Sequence, residues 1–187
     1  MKKALLLVLF FLLLFSGCAT WVMVEGRQKT SQDNFEVELP EGWRRYNLSW
    51  DALHVTRDGM SLQRLTIARV SVDRELAHTK KKLSPGMLPH EAAEVIVDNI
   101  RSNPKIAMQR ILENSPARVG GRPGFKLLYS FKTQEGLTKK VAYYGALVGK
   151  WYYHFLYEAP ARHYFDRDYP TFEKVRRTFK ILGEASA

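Results

Sequence analysis

The feature that most constrains the fold is an alternation of apolar and polar residues in the second half of the chain. Residues 125–131 place an apolar side chain at every second position, which is the period of a half-buried strand. Residues 141–148 are apolar on both strand faces, as in a central strand covered on both sides. Short glycine-containing turns separate these segments. The pattern predicts an antiparallel meander that needs a covering layer on each face.

Two amphipathic segments are the candidates for those layers. In a helix predicted from Pro89 to Ser102, apolar residues recur at positions 93, 96, 97 and 100. A second helix is predicted from Asp168 to Phe179, with Pro170 in its first turn. The predicted fold class is therefore α+β, an antiparallel β-sheet with helices packed on it.

The first half of the chain predicts further strands at residues 35–39, 53–55 and 62–72, with a hairpin turn at residues 58–59. Residues 73–88 are polar and rich in lysine. They are interpreted as an excursion or mobile loop between the strands and the first helix.

Residues 1–17 have the pattern of a secretory signal peptide. Lys2 and Lys3 precede an unbroken apolar run from Ala4 to Phe15. A helix over that run would be about 18 Å long, which is short for a bilayer core of about 30 Å. A signal peptide that directs export of a protein begins with positive charge, continues with a short apolar run and ends in small residues. We therefore predict that the mature chain works outside the cytoplasm.

Cys18, the only cysteine, follows this leader directly, so the chain forms no internal disulfide. The sequence Phe15-Ser16-Gly17-Cys18 resembles the lipobox of bacterial lipoproteins, which signal peptidase recognises through residues 15–17 and cuts before the cysteine. The resemblance implies acylation of Cys18, with palmitate-type chains. Two or three such chains hold a protein durably on a membrane.

Two alternatives to the lipobox remain open. Ordinary signal peptidase could use Gly17 and Ala19 as its small residues and cut before Thr20, or Cys18 could be a buried core thiol. If Cys18 is acylated, Ala19 in place of aspartate implies outer-membrane localisation facing the periplasm. The predicted organisation is a signal peptide over 1–17, a lipidated N-terminus and tether over 18–34, and one domain over 35–187. The apolar residues 21–24 either lie on the membrane or pack on that domain.

The charge of the chain is strongly positive. The formal net charge is +10, and removal of Lys2 and Lys3 with no acidic residue leaves +8. Lys80, Lys81 and Lys82 form the longest basic run, which indicates an anionic envelope polymer or membrane surface as a partner. Nucleic acid is excluded as a partner because an exported, tethered chain without a nucleic-acid motif has no access to it.

Residues 35–43 read F-x-V-x-L-P-x-G-W, and the chain ends its last helix in "VRRTFKI". With the meander that follows the middle helix, these features resemble the PsbP-like α/β/α sandwich family over residues 35–182. That family includes extrinsic photosystem proteins and bacterial lipoproteins of unassigned role. The resemblance implies binding or assembly roles and no shared catalytic set, and the segment 73–88 has no counterpart in it.

A search for catalytic chemistry finds no motif. The histidine at the start of the first helix lacks the second histidine of a metalloprotease, and the serines lack a nucleophile elbow. His163, Asp166 and Asp168 could bind a metal, although such residues before a helix are more often capping groups. We therefore predict no enzyme activity, no metal and no cofactor beyond the covalent lipid.

Aromatic residues crowd two adjacent predicted strands. Trp151 and Tyr153 are candidates for a groove that stacks on sugar or grips a peptide. The alternative is that helices cover both strand faces and every ring belongs to the core.

The function hypothesis is a membrane-anchored envelope lipoprotein with a non-catalytic binding or assembly role towards a protein or envelope component. Two alternatives stand beside it. One is an envelope hydrolase whose site is assembled from distant residues. The other is a cationic module that binds anionic membrane or wall surfaces through Lys80, Lys81 and Lys82.

Overall fold

The computed structural model of the protein describes residues 21–24, 26–29, 34–47 and 52–182. The predicted signal peptide, its recognition residues Phe15, Ser16 and Gly17, and the predicted lipidation site Cys18 lie outside this range. No helix within these four ranges is long and apolar enough to cross a bilayer.

The described residues contain eleven strands and two helices. The strands are Trp21–Met23 (β1), Arg27–Lys29 (β2), Phe35–Glu38 (β3), Arg44–Tyr46 (β4), Ala52–Thr56 (β5), Arg64–Ser71 (β6), Ala107–Val119 (β7), Arg122–Lys132 (β8), Thr138–Val148 (β9), Trp151–Pro160 (β10) and Lys180–Ile181 (β11). The helices are Pro89–Arg101 (α1) and Tyr164–Thr178 (α2).

Eight strands form one antiparallel sheet in the order β1-β4-β5-β6-β10-β9-β8-β7. The predicted meander is confirmed, because β8, β9 and β10 are sequential neighbours joined by tight turns. β1 and β7 lie at opposite edges of this sheet. A second, small sheet has the order β11-β3-β2, and the strand predicted at residues 35–39 belongs to it.

The two helices pack on opposite faces of the large sheet. Ala93 of α1 belongs to a buried cluster with Phe125 and Tyr143. Phe172 of α2 belongs to another cluster on the other face, where its ring lies 6.0 Å from that of Tyr144. The predicted α/β/α sandwich is therefore confirmed. The prediction that residues 141–148 are covered on both sides is confirmed too, because positions 141–146 are all buried.

The predicted tether over residues 18–34 requires a correction. β1 pairs with β4, and β2 pairs with β3, so residues 21–29 contribute strands to both sheets. Val24, between those strands, is 3% exposed and its amide donates to the carbonyl of Trp43 at 2.8 Å. Val24 thus packs on the domain, whereas Val22 and Met23 are exposed on β1. The fold begins before Phe35.

The C-terminal helix begins earlier than predicted. α2 starts at Tyr164 instead of Asp168, and the amide of Arg167 donates to the carbonyl of His163 at 3.1 Å. Pro170 consequently lies inside the helix and not in its first turn. The sequence signal was misleading because proline favours the first turn, yet a helix can continue past one missing amide donor when tertiary packing holds it.

The lysine-rich segment between β6 and α1 packs on the domain instead of extending from it. Leu83 is buried in the cluster beneath α1, and Leu76 and Met87 pack against the same cluster. The amides of His78 and Thr79 donate to the side-chain carbonyl of Asn99 on α1. Three apolar residues spaced along a polar segment are sufficient to fix it to the core.

The packing of Val24 gives a test of where the domain begins. We expect Val24→Ala to lower the free energy of unfolding by about 2 kcal/mol, because it removes buried methyl groups and leaves a cavity. Val22→Ala, two residues away on an exposed side chain, should change it by less than about 0.5 kcal/mol. Urea denaturation followed by tryptophan fluorescence measures both. Equal effects of the two substitutions would show that residue 24 lies outside the core.

Candidate binding groove

The residues predicted as binding candidates do not converge on one site. Lys80, Lys81 and Lys82 are exposed, and Lys81 forms an ion pair with Asp98 of α1 at 2.7 Å. They lie on the segment before α1, whereas the aromatic candidates lie on β10.

The two aromatic candidates belong to different environments. Tyr153 is 1% exposed, and its ring makes an edge contact with Phe179 in the core. The prediction of Tyr153 as a surface binding residue is therefore wrong. Trp151 is half-buried, and the guanidinium of Arg69 lies 3.9 Å from its ring centroid. An arginine on that ring occupies the face that a sugar would use.

The buried tyrosines have structural roles. The hydroxyls of Tyr143 and Tyr152 lie 2.8 Å apart on the α1 face of the sheet. Burial raises the pKa of each hydroxyl above its ordinary value. Both hydroxyls therefore remain protonated and form a hydrogen bond with each other. This supports the interpretation of the aromatic cluster as core.

His163, Asp166 and Asp168 do not form a metal site. His163 occupies the N-cap position of α2 without a side-chain capping bond, and exposed Asp166 pairs with Lys140 at 3.4 Å. Asp168 is buried in another environment. Within the part of the chain that the structure describes, no three His, Cys, Asp or Glu side chains lie close enough to hold a metal ion.

Asp168 is the centre of a polar network that the sequence analysis did not find. It is 2% exposed, and one of its oxygens accepts from Arg57 at 3.1 Å. The other accepts from Gln63 and from the Nε of Arg167 at 2.9 Å. Arg167 also pairs with Asp58, and these hydrogen bonds raise its pKa further above the ordinary arginine value. The network ties α2 to the β5–β6 turn.

Gln63 completes this network from the strand side. Its side-chain oxygen accepts from the amides of Arg57 at 2.7 Å and Asp58 at 3.1 Å. Because every polar group of Asp168 and Gln63 is engaged within the fold, we assign the network to stability and not to chemistry.

A groove of about 570 Å³ lies at the β7 edge of the large sheet; we call it the edge groove. Its walls are the first turn of α1, the second half of β7 and the start of β8. Its lining residues include Pro89, His90, Asn114, Pro116, Pro123 and Phe125. The lining is mainly apolar, which is typical of ligand and peptide sites.

The shape of the edge groove follows from the register of β7 and β8. Pro116 of β7 stands opposite Phe125, and Arg118 stands opposite Pro123. Phe125 is buried and forms the floor, whereas Asn114 and Pro116 are exposed on the wall. Gly124 is buried, and a Cβ at that position would collide with the carbonyl oxygen of Gly145 and lie 3.1 Å from the Cβ of Ala146. Glycine therefore lets β8 approach β9 closely beneath the groove.

β7 offers an outer edge along the whole groove. Its 13 residues pair with β8 on one side, and within the described ranges no strand pairs with its other side. Register shifts occur between residues 107 and 110 and between 111 and 113, and Met108 and Leu112 are exposed apolar side chains near them. Unpaired backbone amides and carbonyls on an edge are able to accept another strand.

Ser115 and His90 both line the edge groove but do not form a nucleophile–base pair. The hydroxyl of Ser115 donates to Glu113 at 2.7 Å, and Lys126 holds the same carboxylate at 2.7 Å. Those hydrogen bonds lower the pKa of Glu113 below its ordinary value. His90 makes no hydrogen bond with Ser115. A serine without an adjacent imidazole base is not activated as a nucleophile.

No protein-family model matches the chain, and no curated protein matches it in sequence. Solved structures match it in fold. The cyanobacterial PsbP protein CyanoP from Synechocystis sp. PCC 6803 is 12% identical, with a TM-score of 0.57 over 90% of this chain and 96% of that one. The Saccharomyces cerevisiae Ran-binding protein Mog1p is 8% identical, with a TM-score of 0.56 over 86% and 97%.

A protein of unknown function from Pseudomonas aeruginosa, PA94, is 10% identical, with a TM-score of 0.51 over 88% of this chain and 99% of that one. At these identities the likeness establishes the fold alone. The protein therefore has the PsbP/Mog1-like fold, as the resemblance in the sequence predicted.

The network around Asp168 predicts a large stability difference between two neighbouring acids. We expect Asp168→Ala to lower the free energy of unfolding by about 2–4 kcal/mol, because it leaves the buried amide of Gln63 without its acceptor and removes the ion pairs that Asp168 makes with Arg57 and Arg167. Asp166→Ala, on an exposed pair, should change it by less than about 0.5 kcal/mol. Denaturant titration of both variants measures the difference. A loss below 1 kcal/mol for Asp168→Ala would contradict the assignment.

Proposed function

We propose that this protein is a non-enzymatic lipoprotein of the bacterial envelope. It is anchored through acylated Cys18 to the outer membrane facing the periplasm, and its domain binds a protein partner in the edge groove. The observation that carries the proposal is the groove itself, an apolar cavity of about 570 Å³ beside the outer edge of β7.

A protein segment suits the edge groove better than a small polar ligand. An extended segment can pair its backbone with an edge strand and place alternate side chains in adjacent apolar pockets. β7 supplies the edge over 13 residues, and Pro89, Pro116 and Pro123 supply an apolar wall. The fold has a precedent for protein binding, because Mog1p carries Ran-binding in its name.

Charge favours a segment with acidic residues. Arg118 lines the edge groove, and Arg110 and Arg122 are exposed on the same two strands. With a mature charge of +8 implied by the sequence, the domain attracts acidic partners at long range. The cavity then selects among them by fitting apolar side chains beside the acidic ones.

Acylation is tested by metabolic labelling. We expect radiolabelled palmitate to enter the wild-type chain and not the Cys18→Ser chain, because the cysteine sulfur is the acceptor. Mass spectrometry of the mature N-terminus checks the position of cleavage. A mature chain that begins at Thr20 without lipid, or equal labelling of both chains, would refute the anchor.

Partner binding is tested by site-specific photocrosslinking in intact cells. A photoreactive amino acid at Asn114, on the groove wall, should crosslink one protein, whereas the same group at Lys174, exposed on α2, should not. Pro116→Glu places a negative charge in the apolar groove and should abolish the product at position 114, because it repels an acidic segment. A product that persists in the Pro116→Glu chain would show that the contact lies outside the edge groove.

A further inference from the structure

The opposite edge of the large sheet carries a second surface with a different composition. The register of β1 and β4 places Trp21 beside Tyr46 and Met23 beside Arg44. The rings of Trp21 and Tyr46 lie 5.1 Å apart, and Met23 is 53% exposed. We call this region the anchor-side surface, and its residues are Trp21, Met23, Arg44, Tyr46, Arg57 and Met60.

A cleft of about 530 Å³ opens on the anchor-side surface, between β1, β4 and the β5–β6 turn. Arg44 and Arg57 line it, with Trp21 and Met60 as apolar neighbours. Asp58 lines it as well, and its carboxylate pairs with Arg167.

The cleft has an excess of positive charge. Arg57 and Arg167 are matched by the carboxylates of Asp58 and Asp168. Arg44 is exposed and forms no ion pair with any residue that the structure describes. One guanidinium therefore remains available at the mouth of the cleft, where it can bind a phosphate group.

The position of this surface along the chain indicates what it faces. β1 begins three residues after Cys18, and three fully extended residues span at most about 10 Å. The polar headgroup layer on one side of a bilayer is itself about 5–8 Å thick. Tryptophan and tyrosine favour that layer because they are amphipathic, and arginine favours it because the phosphates are anionic.

We propose that the anchor-side surface lies on the membrane and binds phosphate-bearing lipid headgroups, with Trp21 and Met23 at the interface and Arg44 on a lipid phosphate in the cleft. This inference rests on the proposed function, because acylated Cys18 is what brings the surface to the bilayer. It adds an orientation: β7 lies seven strand spacings from β1, roughly 30 Å across the sheet. The edge groove then faces away from the membrane.

The acylated protein permits a direct test of this orientation. Because Cys18 is the only cysteine and its sulfur is blocked by lipid, Met23→Cys and Leu112→Cys each introduce one reactive thiol. Both replaced side chains are exposed and apolar, on opposite edges. A fluorophore at position 23 should be quenched several-fold more by headgroup-attached nitroxide lipids than one at position 112. Equal quenching at both positions would overturn the proposal.

The unacylated protein tests the role of Arg44 without the anchor. The Cys18→Ser chain without the predicted signal peptide, residues 18–187, should associate with phosphatidylcholine vesicles only when they contain phosphatidylglycerol. Arg44→Glu should weaken that association about 30-fold, because the substitution changes the charge by two and each charge near an anionic surface is worth about 1 kcal/mol. Arg110→Glu, the same change on the exposed β7 edge, should weaken it less than about threefold.

The outcomes separate the two proposals. If palmitate labelling fails while Arg44→Glu still weakens vesicle association selectively, the proposed lipid anchor is wrong. The proposed binding of lipid phosphate by the anchor-side surface is then supported. If Cys18 is labelled while Arg44→Glu and Arg110→Glu act equally, the anchor stands and the membrane role of the anchor-side surface is overturned.

Discussion

Burial of the central strands on both faces is the constraint on which the rest of the structure depends. Tyr143 points to the α1 face of β9 and Tyr144 to the α2 face. Both faces are apolar, and each helix packs on the sheet because it buries one of them. The packing is close: a Cβ on Gly145 would lie 2.6 Å from the ring of Phe125 and collide with the Tyr152 hydroxyl. Glycine there leaves the space in which the tyrosine hydroxyls meet.

This constraint moves binding away from the middle of the sheet. Two-sided cover leaves Tyr153 and Phe155 in the core, so the aromatic strands stabilise the domain and present little ring surface to a ligand. The edge groove lies beside β7 and the cleft beside β1, at the two margins of the sheet. A cavity of about 370 Å³ lies between the end of α1 and the strands β6, β8, β9 and β10. The two surfaces proposed for binding therefore lie apart from the aromatic core that stabilises the domain.

The sequence predicted those features that depend on local patterns and missed those that depend on distant pairing. Alternation over residues 125–131 and the apolar stripe of α1 each repeat within a few residues, and both predictions hold. Asp166 and Asp168 look equivalent in the sequence, yet burial of Asp168 depends on Gln63 and Arg57, more than a hundred residues away. The edge groove was missed for the same reason, since Pro89 and Pro116 meet only in the folded chain.

The pairing of residues 21–29 changes how an anchor at Cys18 would act. A free coil of sixteen residues has a root-mean-square reach of about 20–25 Å, long enough for a domain to turn in any direction on its membrane. With β1 paired to β4 from Trp21 onward, only residues 19 and 20 separate Cys18 from the sheet. If Cys18 is acylated as proposed, so short a link would restrict rotation and keep one edge of the domain beside the bilayer. An anchor of this geometry would fix the orientation of the domain as well as its location, because the strand that follows the lipidated residue is itself part of the fold.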